Sequence, residues 1–70
     1  MSVLSDFLRE QRTVKRLSQA DMAKELQLVF RTYRRYESGE TEPTLSEAAR
    51  IADYFSVSLD YLAGRTDMEP

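Results

Sequence analysis

The sequence predicts an all-α fold, a compact bundle of five short helices. Apolar residues recur at intervals of three and four along the chain, which is the period of a helix, and no stretch alternates as a strand would. Helix-capping residues precede three of these stretches, namely Ser18, Thr44 and Ser58. Gly39 and Gly64 stand where such stretches end. With no repeat or interdomain linker, the 70 residues make one domain, which we expect to occupy residues 1–64.

The first two helices are indicated by apolar spacing and by a capping pair. Spacing predicts a first helix from about Val3 to Lys15 through the apolar residues Leu4, Phe7, Leu8, Val14 and Leu17. Ser18, with Asp21 three residues on, predicts a capping box at the start of a second helix. That helix buries Met22, Ala23 and Leu26, and Leu28 fills the following turn. Because Ala23 is small, it permits a steep crossing with the next helix.

The third helix is predicted from about Phe30 to Glu37. Tyr33 and Tyr36 are three residues apart and share one face, which we expect to be buried. The basic residues fall largely on the other side of the helix: Arg31, Arg34 and Arg35. Gly39 can take a positive φ at the helix end, and Pro43 prevents continuation.

Two further helices complete the bundle. The fourth is predicted from about Ser46 to Phe55, with Thr44 as its N-cap and Ser46 as the alternative; it buries Ala48, Ala49, Ile51, Ala52 and Phe55. The fifth is predicted from about Ser58 to Ala63, with Leu59 and Leu62 directed inward. Residues 65–70 are expected to be a flexible C-terminal tail.

Composition argues against several functional classes. The chain has no cysteine and no histidine, so disulfides, thiolate metal sites and the usual catalytic base are missing. No apolar run approaches the roughly 20 residues of a membrane span, and the N-terminus does not resemble a signal peptide. We therefore expect a cytoplasmic protein that is not an enzyme, with no metal, cofactor, small-molecule substrate or membrane partner.

The charge is unevenly distributed. The net charge is −2, which is unusual for a nucleic-acid binder. Residues 9–36, however, carry eight basic and three acidic side chains, whereas residues 37–70 carry two basic and eight acidic ones. The front half is thus basic and the back half acidic, although a run of charge can also be an ordinary solvated surface.

Several short motifs together resemble one known family. They are LSQ at 17–19, Ala23, RRYESGETEP at 34–43, IADYF at 51–55 and VSLDYLAG at 57–64. Each is weak alone, but in this order and spacing they resemble the lambda-repressor and Cro-like helix-turn-helix family, often called the Xre family. The resemblance implies a lambda-repressor-like bundle in which the second and third helices form the helix-turn-helix. It also implies a bacterial or phage-encoded protein associated with the nucleoid.

The resemblance implies roles for individual residues. Gln19 corresponds to the family's phosphate clamp, and Arg12 and Glu37 correspond to a structural ion pair between the first and third helices. Ser38 and Gly39 head a loop whose backbone N–H groups approach a phosphate in relatives. Base reading is implied for Phe30, Arg31, Arg34 and Arg35, and a phosphate or thymine-methyl contact for Thr32.

Two of these assignments have alternatives. Any one of the arginines can instead touch only phosphate, whereas an arginine that reads a base is expected to select guanine. Phe30 can pack on a thymine methyl, wedge at a base step, or turn inward or into a dimer contact.

The chain also departs from the family pattern. Relatives commonly have glycine where this chain has Arg16, Gln27 and Ser56; if these positions are left-handed, each costs on the order of 1 kcal/mol. Val29 stands where relatives place the Ser or Thr N-cap of the third helix, so the start of that helix is expected to be altered.

The sequence therefore predicts a DNA-binding transcriptional regulator, a repressor, that reads the major groove of a double-stranded operator with its third helix. One domain offers few contacts, so we expect a homodimer on a palindromic operator, with Val57, Leu59, Tyr61 and Leu62 either at the dimer surface or in the core. The chain can be complete or the N-terminal domain of a longer repressor. The alternative is a protein-interaction module, such as an antitoxin or anti-repressor, with the same fold.

Overall fold

A computed structural model describes residues 3–64 of the chain. Five helices follow one another, and the described residues contain no strand: α1 (Val3–Lys15), α2 (Gln19–Glu25), α3 (Phe30–Ser38), α4 (Leu45–Phe55) and α5 (Leu59–Leu62). α3 packs against both α1 and α2, while α5 packs against α4 and returns to α1. The predicted five-helix, all-α fold is confirmed. The predicted tail at 65–70 lies outside the described residues.

Side-chain caps start three of the helices. The Ser18 hydroxyl accepts the Asp21 N–H at 3.0 Å, and the Asp21 carboxylate accepts the Ser18 N–H at 3.3 Å, which completes the predicted capping box. The Thr44 hydroxyl likewise accepts the Glu47 N–H and starts α4. The Ser58 hydroxyl accepts the Tyr61 N–H and starts α5.

The boundaries of three helices differ slightly from those predicted. α3 extends one residue further, to Ser38, because the chain reverses only at Gly39, whose φ is 81°. α4 begins one residue earlier, since Thr44 is its cap. α5 is shorter than predicted because Ser58 and Ala63 are its caps and lie outside its hydrogen-bonded turn.

The core lies where the helices converge. It is formed by Leu4, Phe7, Leu8, Met22, Ala23, Leu26, Tyr33, Tyr36, Ile51, Ala52 and Leu62. The Phe7 ring meets those of Phe55 and Tyr61 edge to face, with centroid distances of 5.1 and 5.8 Å. Leu28 is half-buried and packs against this core, as predicted. Val14, although in phase with the apolar pattern, is 71% exposed because that side of the last α1 turn is uncovered.

The departures from glycine do produce left-handed residues. Arg16, Gln27 and Ser56 all have φ of 57°. Each follows a helix and supports its end, as when Gln27 donates its N–H to the Lys24 carbonyl. These turns therefore keep a backbone conformation that favours glycine, although the residues there have side chains.

Candidate nucleic-acid interface

The turn between α2 and α3 fixes the angle between these helices. The Leu28 N–H donates to the Ala23 carbonyl at 2.8 Å, which folds the chain back at the end of α2. Ala23 is only 2% exposed, as expected for a small residue at the crossing point. From α4, the Arg50 guanidinium donates to the Leu26 carbonyl at 2.6 Å and closes the C-terminal end of α2.

Helix α3 begins at the predicted residue without a side-chain cap. Val29 occupies the N-cap position with extended backbone (φ −62°, ψ 139°) and accepts the Tyr33 N–H through its carbonyl. Its side chain is 70% exposed and forms no capping bond. The altered start thus concerns the cap and not the position of the helix.

A buried carboxylate joins three helices at this point. Glu37 of α3 is 4% exposed. Its two oxygens accept Nε and Nη2 of Arg12 at 2.9 and 3.1 Å, and Oε1 also accepts Nε2 of Gln19 at 3.1 Å. The Tyr33 hydroxyl donates to the same carboxylate. Arg12 from α1 and Gln19 from α2 are therefore both fastened to the third helix.

The pKa of Glu37 reflects this environment. Burial alone raises it, but the hydrogen bonds from Arg12, Tyr33 and Gln19 outweigh burial, so the pKa of Glu37 lies below the ordinary value for glutamate. Burial also raises the pKa of Tyr33, and its bond to the Glu37 carboxylate adds to that rise. Glu37 is thus ionised and Tyr33 protonated at neutral pH.

Several predicted contact residues surround one open depression of about 580 Å³ on the surface. Its lining consists of Arg9, Gln19, Arg31, Arg34, Arg35, Glu37, Ser38 and Glu40. We call this surface the α2–α3 depression. It brings Gln19, which begins α2, together with the three arginines of α3 on one open side of the domain.

The three arginines differ in their surroundings. The Arg34 guanidinium lies over the Phe30 ring, 5.7 Å from its centroid. Arg35 forms an ion pair with Glu40, with Nε 3.2 Å from the carboxylate, and both side chains are at least half exposed. The Arg31 side chain is exposed and makes no hydrogen bond or ion pair within residues 3–64.

Three predicted contact residues are not part of this lining. Phe30 is 45% exposed and lies beside the depression, under Arg34. Thr32 is half-buried on another side of α3. Gly39 donates its N–H to the Tyr36 carbonyl and Glu40 donates to the Arg35 carbonyl, so these loop amides serve the end of α3 in the free chain.

Arg9, which is not among the predicted contact residues, also lines the depression. It lies three residues before Arg12 on the same side of α1, and its guanidinium reaches the Glu37 carbonyl oxygen at 3.5 Å. The spacing of Arg9 and Arg12 was visible in the sequence. Only the packing of α1 against α3 shows that both point toward the end of α3.

Residues 3–64 contain no group of three or more acidic side chains arranged to hold a metal ion. None of the helices described is long and apolar enough to cross a membrane.

Comparison with known proteins gives consistent matches. The profile of the helix-turn-helix family matches residues 8–62. The chain is 39% identical over 62 residues to the cryptic phage CTXphi transcriptional repressor RstR of Vibrio cholerae serotype O1, an alignment covering 89% of this chain and 55% of that protein. It is 37% identical over 60 residues to the uncharacterized HTH-type transcriptional regulator YqaE of Bacillus subtilis, covering 86% and 52% respectively.

The chain therefore spans about half the length of these curated relatives. No solved structure matches it significantly.

Proposed function

The chain belongs to the helix-turn-helix family, in its lambda-repressor-like or Xre form, and on that premise we propose that it is a sequence-specific DNA-binding transcriptional regulator. In this proposal α3 enters the major groove and its arginines meet base edges. The relative from Vibrio cholerae is named a transcriptional repressor, which supports repression as the outcome here.

One observation carries the proposal. Gln19, Arg31, Arg34 and Arg35 line the same open depression. A reading helix needs its base-contacting side chains and its phosphate-contacting side chain on one accessible surface. This arrangement also favours DNA over the alternative of a protein-interaction module, because exposed guanidinium groups match both phosphate oxygens and guanine.

The roles divide between positioning and reading. Gln19 contacts phosphate through its amide, while the bond from Nε2 to Glu37 holds that amide in place. Thr32 and Ser38 add phosphate contacts, and Gly39 directly follows Ser38, the last residue of α3. Arg31, Arg34 and Arg35 read guanine, each through two hydrogen bonds to O6 and N7. Arg12 and Glu37 keep α3 at its angle and read no base.

We expect two copies to bind together. One domain of this size covers few base pairs, so tight specific binding requires two half-sites about one helical turn apart. A two-fold symmetric dimer then selects a palindromic operator.

Selection from a random duplex pool tests the proposal. The chain is expected to enrich a palindromic motif with guanine in each half-site. Arg35→Ala should relax the preference at one base pair, whereas Gln19→Ala should weaken all sequences alike. Because Gln19 also bonds to Glu37, thermal unfolding of both variants is measured alongside, so that a loss of fold is separated from a loss of contact.

Two outcomes would contradict this assignment. Failure to enrich any motif at moderate salt would argue for the protein-interaction module. Uniform loss of affinity in both variants would remove the division between reading and positioning.

A further inference from the structure

Phe30 has an exposed aromatic ring that DNA binding by the arginines alone does not explain. It begins α3, and its ring remains 45% exposed although Tyr33 and Tyr36 of the same helix are 0% and 5% exposed. The Arg34 guanidinium lies over this ring at 5.7 Å. An apolar surface thus remains open to solvent beside the depression that the arginines line.

The contact between Phe30 and Arg34 follows from helix geometry. The two residues are one turn apart, and long helical side chains lean toward the N-terminus, so the Arg34 side chain extends back over Phe30. Attraction between the cation and the ring restricts where the guanidinium can move. Arg34 lines the depression and Phe30 does not. The Phe30 ring therefore lies at the edge of the depression and contacts the guanidinium from there.

On the basis of the proposed DNA-binding function, we infer that Phe30 and Arg34 act as one reading unit for a guanine beside a pyrimidine that carries a C5-methyl group. Arg34 donates to O6 and N7 of the guanine. The exposed part of the Phe30 ring packs on the neighbouring methyl, which is the apolar group that a base edge offers in the major groove. Thymine supplies this methyl in unmodified DNA, and 5-methylcytosine supplies the same group in methylated DNA.

The position of the guanidinium argues against a wedge. A ring inserted between base pairs must offer both of its faces to the bases. Arg34 covers one face of Phe30 in the free chain. The ring can therefore meet a methyl group with its uncovered part and keep Arg34 in place, whereas insertion would have to break the contact.

The test uses the operator selected by the full chain. We expect a guanine and a thymine at adjacent base pairs of each half-site. Replacing that thymine by deoxyuridine removes only the methyl and should weaken binding by about fourfold per half-site, the usual effect of one buried methyl-sized group. Deoxyuridine at a thymine elsewhere in the operator is the matched control and should have no effect.

Variants at the two positions separate the parts of the unit. Phe30→Ala should bind the thymine and deoxyuridine operators equally and should also discriminate less against adenine at the guanine position. Phe30→Leu should keep the methyl effect but discriminate less against adenine at the guanine position, because leucine has no ring to hold Arg34. For each variant, the methyl effect is the ratio of its affinities for the thymine and deoxyuridine operators. A loss of folded protein changes both affinities alike and leaves this ratio unchanged.

Replacing the thymine by cytosine and by 5-methylcytosine identifies the source of the methyl. Equal binding of thymine and 5-methylcytosine, with weaker binding of cytosine, indicates that the methyl itself is recognised. Preference for thymine over both cytosine and 5-methylcytosine indicates that unmodified DNA is the target. In that case the methyl is still recognised if deoxyuridine weakens binding.

The inference and the proposed function fail differently. If no motif is enriched, DNA binding itself is wrong. If a motif is enriched but the wild type binds thymine and deoxyuridine equally, or Phe30→Ala keeps the full methyl effect, the reading unit is wrong and the regulator assignment stands. A Phe30→Ala variant that changes only dimerisation would likewise overturn the unit.

Discussion

Glu40 places a negative charge within the basic lining of the α2–α3 depression. Its carboxylate pairs with Arg35 at 3.2 Å, and both side chains are largely exposed. DNA binding through Arg35 must first break this pair. In the free chain Glu40 therefore competes with DNA for one of the proposed reading residues.

We predict that Glu40→Gln binds the selected operator about two- to fivefold more tightly, which is the range for releasing one exposed ion pair. Glu42→Gln is the matched control. Glu42 carries the same charge and lies two residues after Glu40, but its side chain lines a different groove. Titration of labelled operator measures both variants. Equal gains would show that net charge, and not the pair with Arg35, is responsible.

Glu37 makes the fold sensitive to acid. Its pKa is below the ordinary glutamate value because the hydrogen bonds from Arg12, Tyr33 and Gln19 outweigh the effect of burial. A group with a lowered folded pKa contributes stability above its unfolded pKa and loses that contribution as the pH falls through the folded pKa. The contribution of Glu37 is therefore complete at neutral pH and is lost in acid.

For Glu37→Gln we predict a lower free energy of unfolding at neutral pH and a flatter decline than in the wild type as the pH falls below about 5, where unfolded glutamate begins to take up its proton. Arg12→Ala should lower the free energy of unfolding by about 3 kcal/mol at neutral pH, because it leaves the buried Glu37 carboxylate without its cation. Urea unfolding at several pH values measures both. Parallel curves for the wild type and Glu37→Gln would contradict the assigned role of Glu37.

The elements show which local signals determine the fold. Ser18, Thr44 and Ser58 were recognised from the sequence as N-caps, and all three make the expected bonds, because capping depends on residues three apart. Apolar spacing correctly predicted α1 with Val14 as part of the pattern, but Val14 is 71% exposed, because periodicity does not reveal whether another helix covers that side.

The candidate site was predictable in part. The resemblance to the family indicated Gln19 and the arginines, and the structure brings them to one depression. The contacts of Phe30 with Arg34 and of Arg35 with Glu40 were not foreseen. The first contact depends on side-chain direction along α3, and the second on how the loop after α3 brings Glu40 back to Arg35. Residue spacing alone specifies neither.

The left-handed residue in the turn after α2 is expected to strain that turn. Gln27 has φ of 57°, and Gln27→Gly should raise the free energy of unfolding by up to about 1 kcal/mol, because glycine adopts this region without strain. Lys24→Gly, three residues earlier and inside α2, should lower it by about 1 kcal/mol. Thermal or urea unfolding measures both. Destabilisation by Gln27→Gly would show that the turn carries no strain.

The whole molecule separates its charges. Basic side chains are concentrated in residues 9–36 and acidic ones in residues 37–70, while the net charge is −2. The three arginines of α3 and Arg9 share one depression, so a locally positive surface exists on an acidic protein. We therefore expect the domain to approach DNA with one face only.

Salt dependence tests this picture. If each domain neutralises two phosphates, a dimer should lose about a hundredfold in operator affinity between about 50 and 200 mM salt. Fluorescence anisotropy with labelled operator measures the slope. An affinity that does not change with salt would mean that no basic side chain of this surface neutralises a phosphate, which would contradict the expected approach of the basic face to DNA.

We propose that arginines of α3 read guanine in the major groove. Methylation interference on the selected operator probes these contacts themselves, because dimethyl sulfate modifies guanine at N7 in the major groove and adenine at N3 in the minor groove. We predict that methylation of one or more guanines in each half-site blocks binding, and that Arg35→Ala is no longer sensitive at one of them. Interference confined to adenines, or found at no guanine, would contradict the account.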